Sequence, residues 1–240
     1  MTATATTPTS APAPDVSRLT VGVLGGTGPQ GRGLAVRLAA AGQRVLLGSR
    51  DADRAIDLAD ETARRARTIA AGGEVSVGGD SNTEVADAAD LVIVAVPFDG
   101  HAATLAPLAE PLAGKVVVDC VVPMAFDQQG AYALAVPEGS VAEQAAALLP
   151  DSRIVGAFHH VSAVLLEDLS RRSVETDVLV VGDARAATDT VAALASRLPG
   201  MRGIYAGRLR NARQIEALTV NLVSINRRYK AHAGIRVTDV

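Results

Sequence analysis

Apolar residues in this chain gather into short unbroken runs separated by amphipathic stretches. Leu19–Gly25, Arg44–Gly48, Asp90–Pro97 ("DLVIVAVP"), Lys115–Cys120 ("KVVVDC") and Arg153–Phe158 ("RIVGAF") show little polar alternation. That is the pattern of strands covered on both faces. A further strand is predicted at Val75–Gly78. Helical stretches lie between them: Pro29–Ala41, with Leu34, Leu38 and Ala41 on one face; the Arg/Asp-rich Ala52–Ala71; a short one near Thr83–Ala89; and Gly100–Leu112. Residues 121–139, interrupted by Pro123 and Pro137, read as irregular. Ser140–Leu149 reads as a helix, because Ser140 and Glu143 stand at capping-box spacing.

Strands that alternate with helices predict parallel βαβ units and a doubly wound sheet. The pattern continues with a strand at Val178–Val181, a helix at Ala184–Leu198, a strand near Arg202–Tyr205 and a last helix over about Asn211–Ala231. In that helix Ile215, Leu218, Leu222, Ile225 and Tyr229 recur at alternating spacings of three and four, which predicts one apolar stripe for the sheet or for a second subunit. The expected class is α/β: a doubly wound, mainly parallel Rossmann sheet with a smaller C-terminal α/β part. Residues 1–18, rich in Ala, Thr and Pro, are expected to form a disordered extension. Residues 19–158 are expected to bind a nucleotide, and 159–240 to form the smaller part ending in the long helix.

Composition narrows the partners. The 240 residues are 48% hydrophobic and 20% charged, enough for a globular core, and the net charge of −3 offers no basic surplus for nucleic acid. No run of about 18 apolar residues is present, so no membrane span is expected. The N-terminus lacks the basic front and apolar centre of a secretory signal. The single cysteine, Cys120, excludes a disulfide framework within the chain, points to a reducing cytoplasm and reads as a buried core thiol. Four histidines and one cysteine without ligand spacing leave no metal site.

The chemistry begins in Val21–Gly33, "VGVLGGTGPQGRG". Gly26, Thr27, Gly28, Pro29, Gln30 and Gly31 fit G-x-G-x-x-G directly after a strand and at a helix start. The first glycine is expected to make the turn, the second to let backbone approach a pyrophosphate, and the third to let helix pack on strand. The helix N-terminus offers free N–H groups and a positive dipole end, and Pro29 suits that position. At the end of the second strand an acidic residue would hold the ribose hydroxyls of NAD, but "LLGSRDADR" places Ser49 and Arg50 there, with Arg54 one helical turn on. A hydroxyl and two guanidinium groups suit the 2′-phosphate of NADP. Asp51 and Asp53 then read as caps of the following helix.

Three further strand ends bear on the reacting group. "AVPFDGH" offers Val96, Pro97 and His101, with Pro97 shaping backbone near the nicotinamide. "VVPM" covers Val121–Met124. "AFHHVSA" offers His159, with His160 pointing elsewhere. No Tyr-x-x-x-Lys pair follows Tyr132, so acid–base machinery is sparse. Direct hydride exchange between two cofactors needs mainly proximity and alignment, and tolerates that poverty.

The segments "GGTGPQGRGLAVRLA", "VLLGSR", "AVPFDGH", "AFHHVSA" and "GRLRNARQIEALT" together resemble the F420-dependent NADP oxidoreductases from about Leu19 to the last helix. The resemblance implies a homodimer that moves hydride reversibly between NADP(H) and the deazaflavin coenzyme F420. It implies that Thr27, Ser49, Arg50 and Arg54 hold the 2′-phosphate and that Gly28–Gly31 hold the pyrophosphate. It also puts His159 beside the deazaflavin, with Val161 as the neighbouring aliphatic residue and residues 159–240 completing that site. Ser162 departs from the pattern, where a proline is expected. Arg208, Arg210, Arg227 and Arg228 are candidates for a basic rim facing the anionic F420 tail. Two other readings share the glycine loop: an NADPH-dependent reductase of a small imine or ketone, for which no proton donor is visible, and a non-catalytic NADP(H)-sensing protein.

Overall fold

The computed structural model describes residues 13–240. In chain order its elements are β1 (Thr20–Leu24), α1 (Pro29–Ala40), β2 (Arg44–Ser49), α2 (Ala52–Ile69), β3 (Val77–Ser81), α3 (Asn82–Ala88), β4 (Leu91–Val94), α4 (His101–Leu105), β5 (Val116–Asp119), β6 (Met124–Asp127), β7 (Gly130–Ala133), α5 (Val141–Leu148), β8 (Arg153–Gly156), α6 (Ala163–Glu167), β9 (Thr176–Gly182), α7 (Arg185–Ser196), β10 (Met201–Gly207) and α8 (Ala212–Tyr229). Eight strands form one sheet in the order β10-β9-β8-β5-β4-β1-β2-β3. Every neighbouring pair is parallel except β8 and β9. The expected mainly parallel, doubly wound sheet is therefore present, and β9 and β10 add to its edge running the other way.

Strand order reverses between β1 and β4, which opens a crevice at their carboxyl ends. Side chains alternate across the sheet and fill two cores. Val21, Val23, Ile93, Val118 and Val155 meet α1, α2, α6 and α7 on one face. Leu24, Val92, Val94, Val117 and Ile154 meet α3, α4, α5 and α8 on the other. All residues of β1 and β4 are buried, as their unbroken apolar runs require. Among the described residues, no helix is long and apolar enough to cross a membrane.

Local sequence explains several departures. The strand expected at Val75–Gly78 runs from Val77 to Ser81. The stretch 121–139, expected to be irregular, contains the β6–β7 hairpin. Its turn is held by Asp127, whose Oδ1 accepts from the Gln129 and Gly130 N–H groups at 2.7 and 3.1 Å, with Gly130 at φ +124°. The helix expected over Gly100–Leu112 stops at Leu105 and passes into a 3-10 turn at Ala106–Leu108, because Pro107 supplies no N–H. Of the extension expected over 1–18, residues 1–12 lie outside the described residues. Val16 is buried, and its carbonyl accepts from Gln43 Nε2 at 3.0 Å. The stripe on α8 divides: Ile215 and Leu222 are buried, whereas Leu218, Ile225 and Tyr229 are exposed.

The helix that follows the glycine loop also anchors the chain beyond β8. Arg37 of α1 is only 3% exposed. Its guanidinium donates to the carbonyls of Leu165 (2.7 Å), Leu166 (2.8 Å), Asp168 (2.9 Å) and Arg171 (3.2 Å). Burial pulls its pKa below the usual value for arginine, against a smaller opposing effect of Asp168. Gly33 permits the close approach, since a Cβ there would lie 2.5 Å from Leu166 Cβ. Arg32 Nε meets Glu167 Oε1 at 2.9 Å beside it. Replacing Arg37 by Met would strand these carbonyls in an apolar junction. The expected loss is about 2–4 kcal/mol, read from urea unfolding midpoints; an unchanged midpoint would mean that the carbonyls find other partners.

Candidate functional site

The glycine loop occupies the crevice. The tight turn belongs to Gly25 (φ +79°) and not to Gly26, the residue expected to make it. A Cβ at Gly25 would stand 2.6 Å from the Ala95 carbonyl oxygen, so only glycine lets β1 and the chain after β4 run this close. Gly28 is the N-cap of α1, and the nearest atom to a Cβ placed there is 3.6 Å away, so backbone is accessible. No side chain caps α1, and no acid stands in its first turn. The exposed positive helix end is therefore free for an anion. Gly31 packs tightly, as expected: a Cβ there would lie 2.7 Å from the Gly25 carbonyl oxygen.

β2 pairs with β1 in a register that sets Gly48 opposite Leu24, so Ser49 and Arg50 emerge alongside the loop. Ser49 is half-buried, and its Oγ accepts from the Asp51 N–H at 3.2 Å. Asp51 is the N-cap of α2 and accepts from the Arg54 N–H at 3.2 Å, the capping role expected of it. Arg50 and Arg54 are exposed and enter no ion pair among the described residues. Thr27 is half-buried in the loop, and its carbonyl faces Arg32 Nη1 at 3.4 Å. Half-buried Val96 and exposed Pro97 follow β4, where the Ala95 N–H donates to the Leu24 carbonyl at 2.9 Å.

Past β8, Phe158 takes a left-handed conformation (φ +62°) although it is not glycine. His159 follows and is buried, and neither ring nitrogen has a hydrogen-bond partner among the described residues. Burial lowers its pKa to about 4; His160 adds to the shift and Asp119 opposes it. The ring is neutral near pH 7, with one N–H and one lone pair to offer. His160 is committed elsewhere, donating from Nε2 to the Asp177 carbonyl at 2.8 Å. Val161 is buried, and Ser162 caps α6 by accepting from the Leu165 N–H at 3.5 Å. The loop's Gln30 reaches this same turn, donating from Nε2 to the Phe158 carbonyl at 3.1 Å.

His101 is placed differently from expectation. It opens α4 facing inward and is fully buried, with Nε2 2.6 Å from Asp119 Oδ2 and Nδ1 2.9 Å from Gln144 Oε1. Both ring nitrogens meet oxygens inside the protein, so none is left for a ligand. Burial works against the charged ring, but the Asp119 bond and charge, with Gln144, outweigh it and raise the pKa. Glu216 of α8 belongs to the same buried region and accepts from the Val141 and Ala142 N–H groups at 3.0 and 3.2 Å, at the start of α5. Asp119, Gln144 and Glu216 belong to no motif that marks them in the sequence. An acid ending an otherwise apolar strand, "VVVD", was the available signal. Of the rim arginines, Arg208 lies 3.8 Å from Asp183, while Arg210, Arg227 and Arg228 are exposed on or just before α8. Cys120 is a buried thiol donating to the Val94 carbonyl, with its pKa raised by burial.

Glu216 generates a pH dependence. Burial, helped by Asp119 and Glu143, raises its pKa to about 7 from 4.5 despite its two backbone donors. The folded chain then holds a proton that the unfolded chain has released, so stability falls as pH rises from 4.5 to about 7. Glu216→Gln keeps an acceptor for α5 and removes that proton. Its melting temperature relative to the unaltered chain is expected to improve from pH 5 to pH 8; a difference independent of pH would exclude Glu216 as the titrating group.

The family described as NADP oxidoreductase coenzyme F420-dependent matches residues 20–123. The F420-dependent NADP reductase of Methanothermobacter marburgensis is 39% identical over 225 residues, covering 92% of this chain and 98% of the relative. That of Methanocaldococcus jannaschii is 38% identical, with the same coverage. A crystal structure from Arthrobacter sp. FB24, provisionally assigned as an F420-dependent NADP reductase, superposes with a TM-score of 0.73 at 27% identity, covering 92% of this chain and 99% of that one.

Proposed function

This chain belongs to the F420-dependent NADP oxidoreductase family, and we propose on that footing that it is an enzyme transferring hydride reversibly between NADP(H) and coenzyme F420. The observation that carries the reading within the site is His159, a buried neutral imidazole without partners, one residue past a turn bonded to the glycine loop. A buried polar group left unbonded costs stability, so its partner is expected from a bound molecule. The NADP half fits equally: an uncapped helix end, accessible backbone at Gly28, and beside Ser49 two guanidinium groups in no ion pair among the described residues.

When bound, the nicotinamide and the deazaflavin supply the redox chemistry. The chain binds and orients them. Ser49, Arg50 and Arg54, with Thr27, would hold the 2′-phosphate; the loop backbone, not its side chains, would hold the pyrophosphate from Gly28 to Gly31; Val96 and Pro97 would line the nicotinamide side. His159 offers a hydrogen bond to the deazaflavin against the aliphatic Val161. In this division residues 19–158 carry NADP(H), and 159–240 complete the acceptor site. We further propose a cytoplasmic homodimer. Exposed Leu218, Ile225 and Tyr229 on α8, which packs on β7, with Phe126 and Tyr132 exposed on the hairpin, support the pairing. The single free thiol suits the compartment.

Mixing the purified chain with NADPH and oxidised F420 is expected to bleach the deazaflavin's visible absorbance, with little loss when NADH replaces NADPH. Tight NADPH binding without bleaching would favour the imine, ketone or sensing readings. Arg50→Ala is expected to raise the NADPH KM by roughly 10-fold or more and to narrow the preference over NADH, as loss of a charge-assisted bond implies. An unchanged preference would remove Arg50 from the 2′-phosphate site. His159→Ala is expected to weaken F420 use more than NADPH binding, and equal losses would argue against its role.

A further inference from the structure

Gln30 lies in the middle of the phosphate-binding motif, yet its side chain does not turn toward the open side of the loop. It reaches 128 residues along the chain to the Phe158 carbonyl, donating from Nε2 at 3.1 Å. The same carbonyl accepts the Val161 N–H at 3.2 Å, so both of its lone pairs are used. The peptide so held follows a bulky residue at φ +62°, a conformation that a buried phenylalanine adopts only when its surroundings impose it. The next residue is His159, whose ring has no partner of its own to fix it.

We propose that Gln30 is a positioning residue for the acceptor half of the site: its amide locks the Phe158 turn that presents His159, so it governs binding of the deazaflavin and leaves NADP(H) binding to the loop backbone. This rests on the functional reading above. It assigns a glycine-loop side chain to the second substrate and joins the two half-sites through one hydrogen bond. The neighbouring bonds from Arg32 and Arg37 hold the rest of the segment, 165–171, to the same helix. Of these three α1 side chains, Gln30 is the one that reaches the Phe158 turn, which His160 also ties to the Asp177 carbonyl, and it is not needed to keep segment 165–171 in place.

The test uses Gln30→Leu, which keeps bulk and removes the donor, and Gln30→Glu, which keeps length and turns an acceptor toward the carbonyl, both in the full chain. The F420 KM is expected to rise about 10-fold in Gln30→Leu and further in Gln30→Glu, while the NADPH dissociation constant, read by nicotinamide fluorescence, stays within about 2-fold. A second readout needs no turnover: in the unliganded chain the His159 ring proton is followed by NMR across pH. Its pKa is expected to move up from about 4 toward 6.5 in the variants as the turn loosens and water enters. An unmoved His159 titration with an unchanged F420 KM would overturn the proposal, as would a loss of NADPH binding as large as the loss of F420 binding. If the unaltered chain binds NADPH but never reduces F420, the functional reading fails, and the His159 titration still decides whether Gln30 holds the turn.

Discussion

Arg37 holds together what the sheet alone leaves apart. The loop before α1 and the turn after β8 lie on separate strands, with β4 and β5 between β1 and β8. Nothing in parallel strand pairing fixes the chain once it has left β8. A guanidinium buried in α1 and surrounded by backbone carbonyls from 165 to 171 supplies that constraint. Its five donors suit a curved strip of carbonyls better than a point charge such as lysine would, and burial makes each unmade bond costly. Gly33 admits Leu166 at the same junction, and Arg32 closes its rim on Glu167. A donor and an acceptor bound on the two sides would thus sit on one packed unit.

A second buried polar group lies beneath the other side of the crevice. Asp119, His101 and Gln144 form a bonded chain from β5 through α4 to α5, and Glu216 caps α5 from α8. Each group is satisfied by another, which is the condition under which such residues persist in a core. The contrast with His159 is instructive. Two histidines follow the same kind of strand end, one enclosed by oxygen partners and the other left without any. Motif reading cannot separate them, because the difference lies in what the neighbouring strands and helices bring to each ring.

The elements that the sequence made legible are those decided by local chemistry. Unbroken apolar runs marked β1, β4, β5 and β8, because a strand covered on both faces has no polar position to alternate. Asp51 and Ser140 announced the starts of α2 and α5 by the bonds their own side chains make. The motif from Gly26 to Gly31 placed the uncapped end of α1, although the left-handed turn proved to be one residue earlier, at Gly25. The hairpin at 124–133 was hidden by flanking prolines and by its lack of alternation.

By itself, then, the sequence determined the α/β class, the glycine-rich strand–loop–helix with its uncapped helix end, and the cations beside it, since each depends on residues close along the chain. Only the tertiary structure decided that His101 turns inward, that His159 stays neutral and unpartnered among the described residues, that three of the five stripe residues on α8 face out, and that Gln30 and Arg37 tie the first helix to the chain beyond β8, more than a hundred residues away. Those outcomes depend on desolvation and on partners contributed by distant segments. Both are properties of the folded neighbourhood, and no spacing along the chain encodes them.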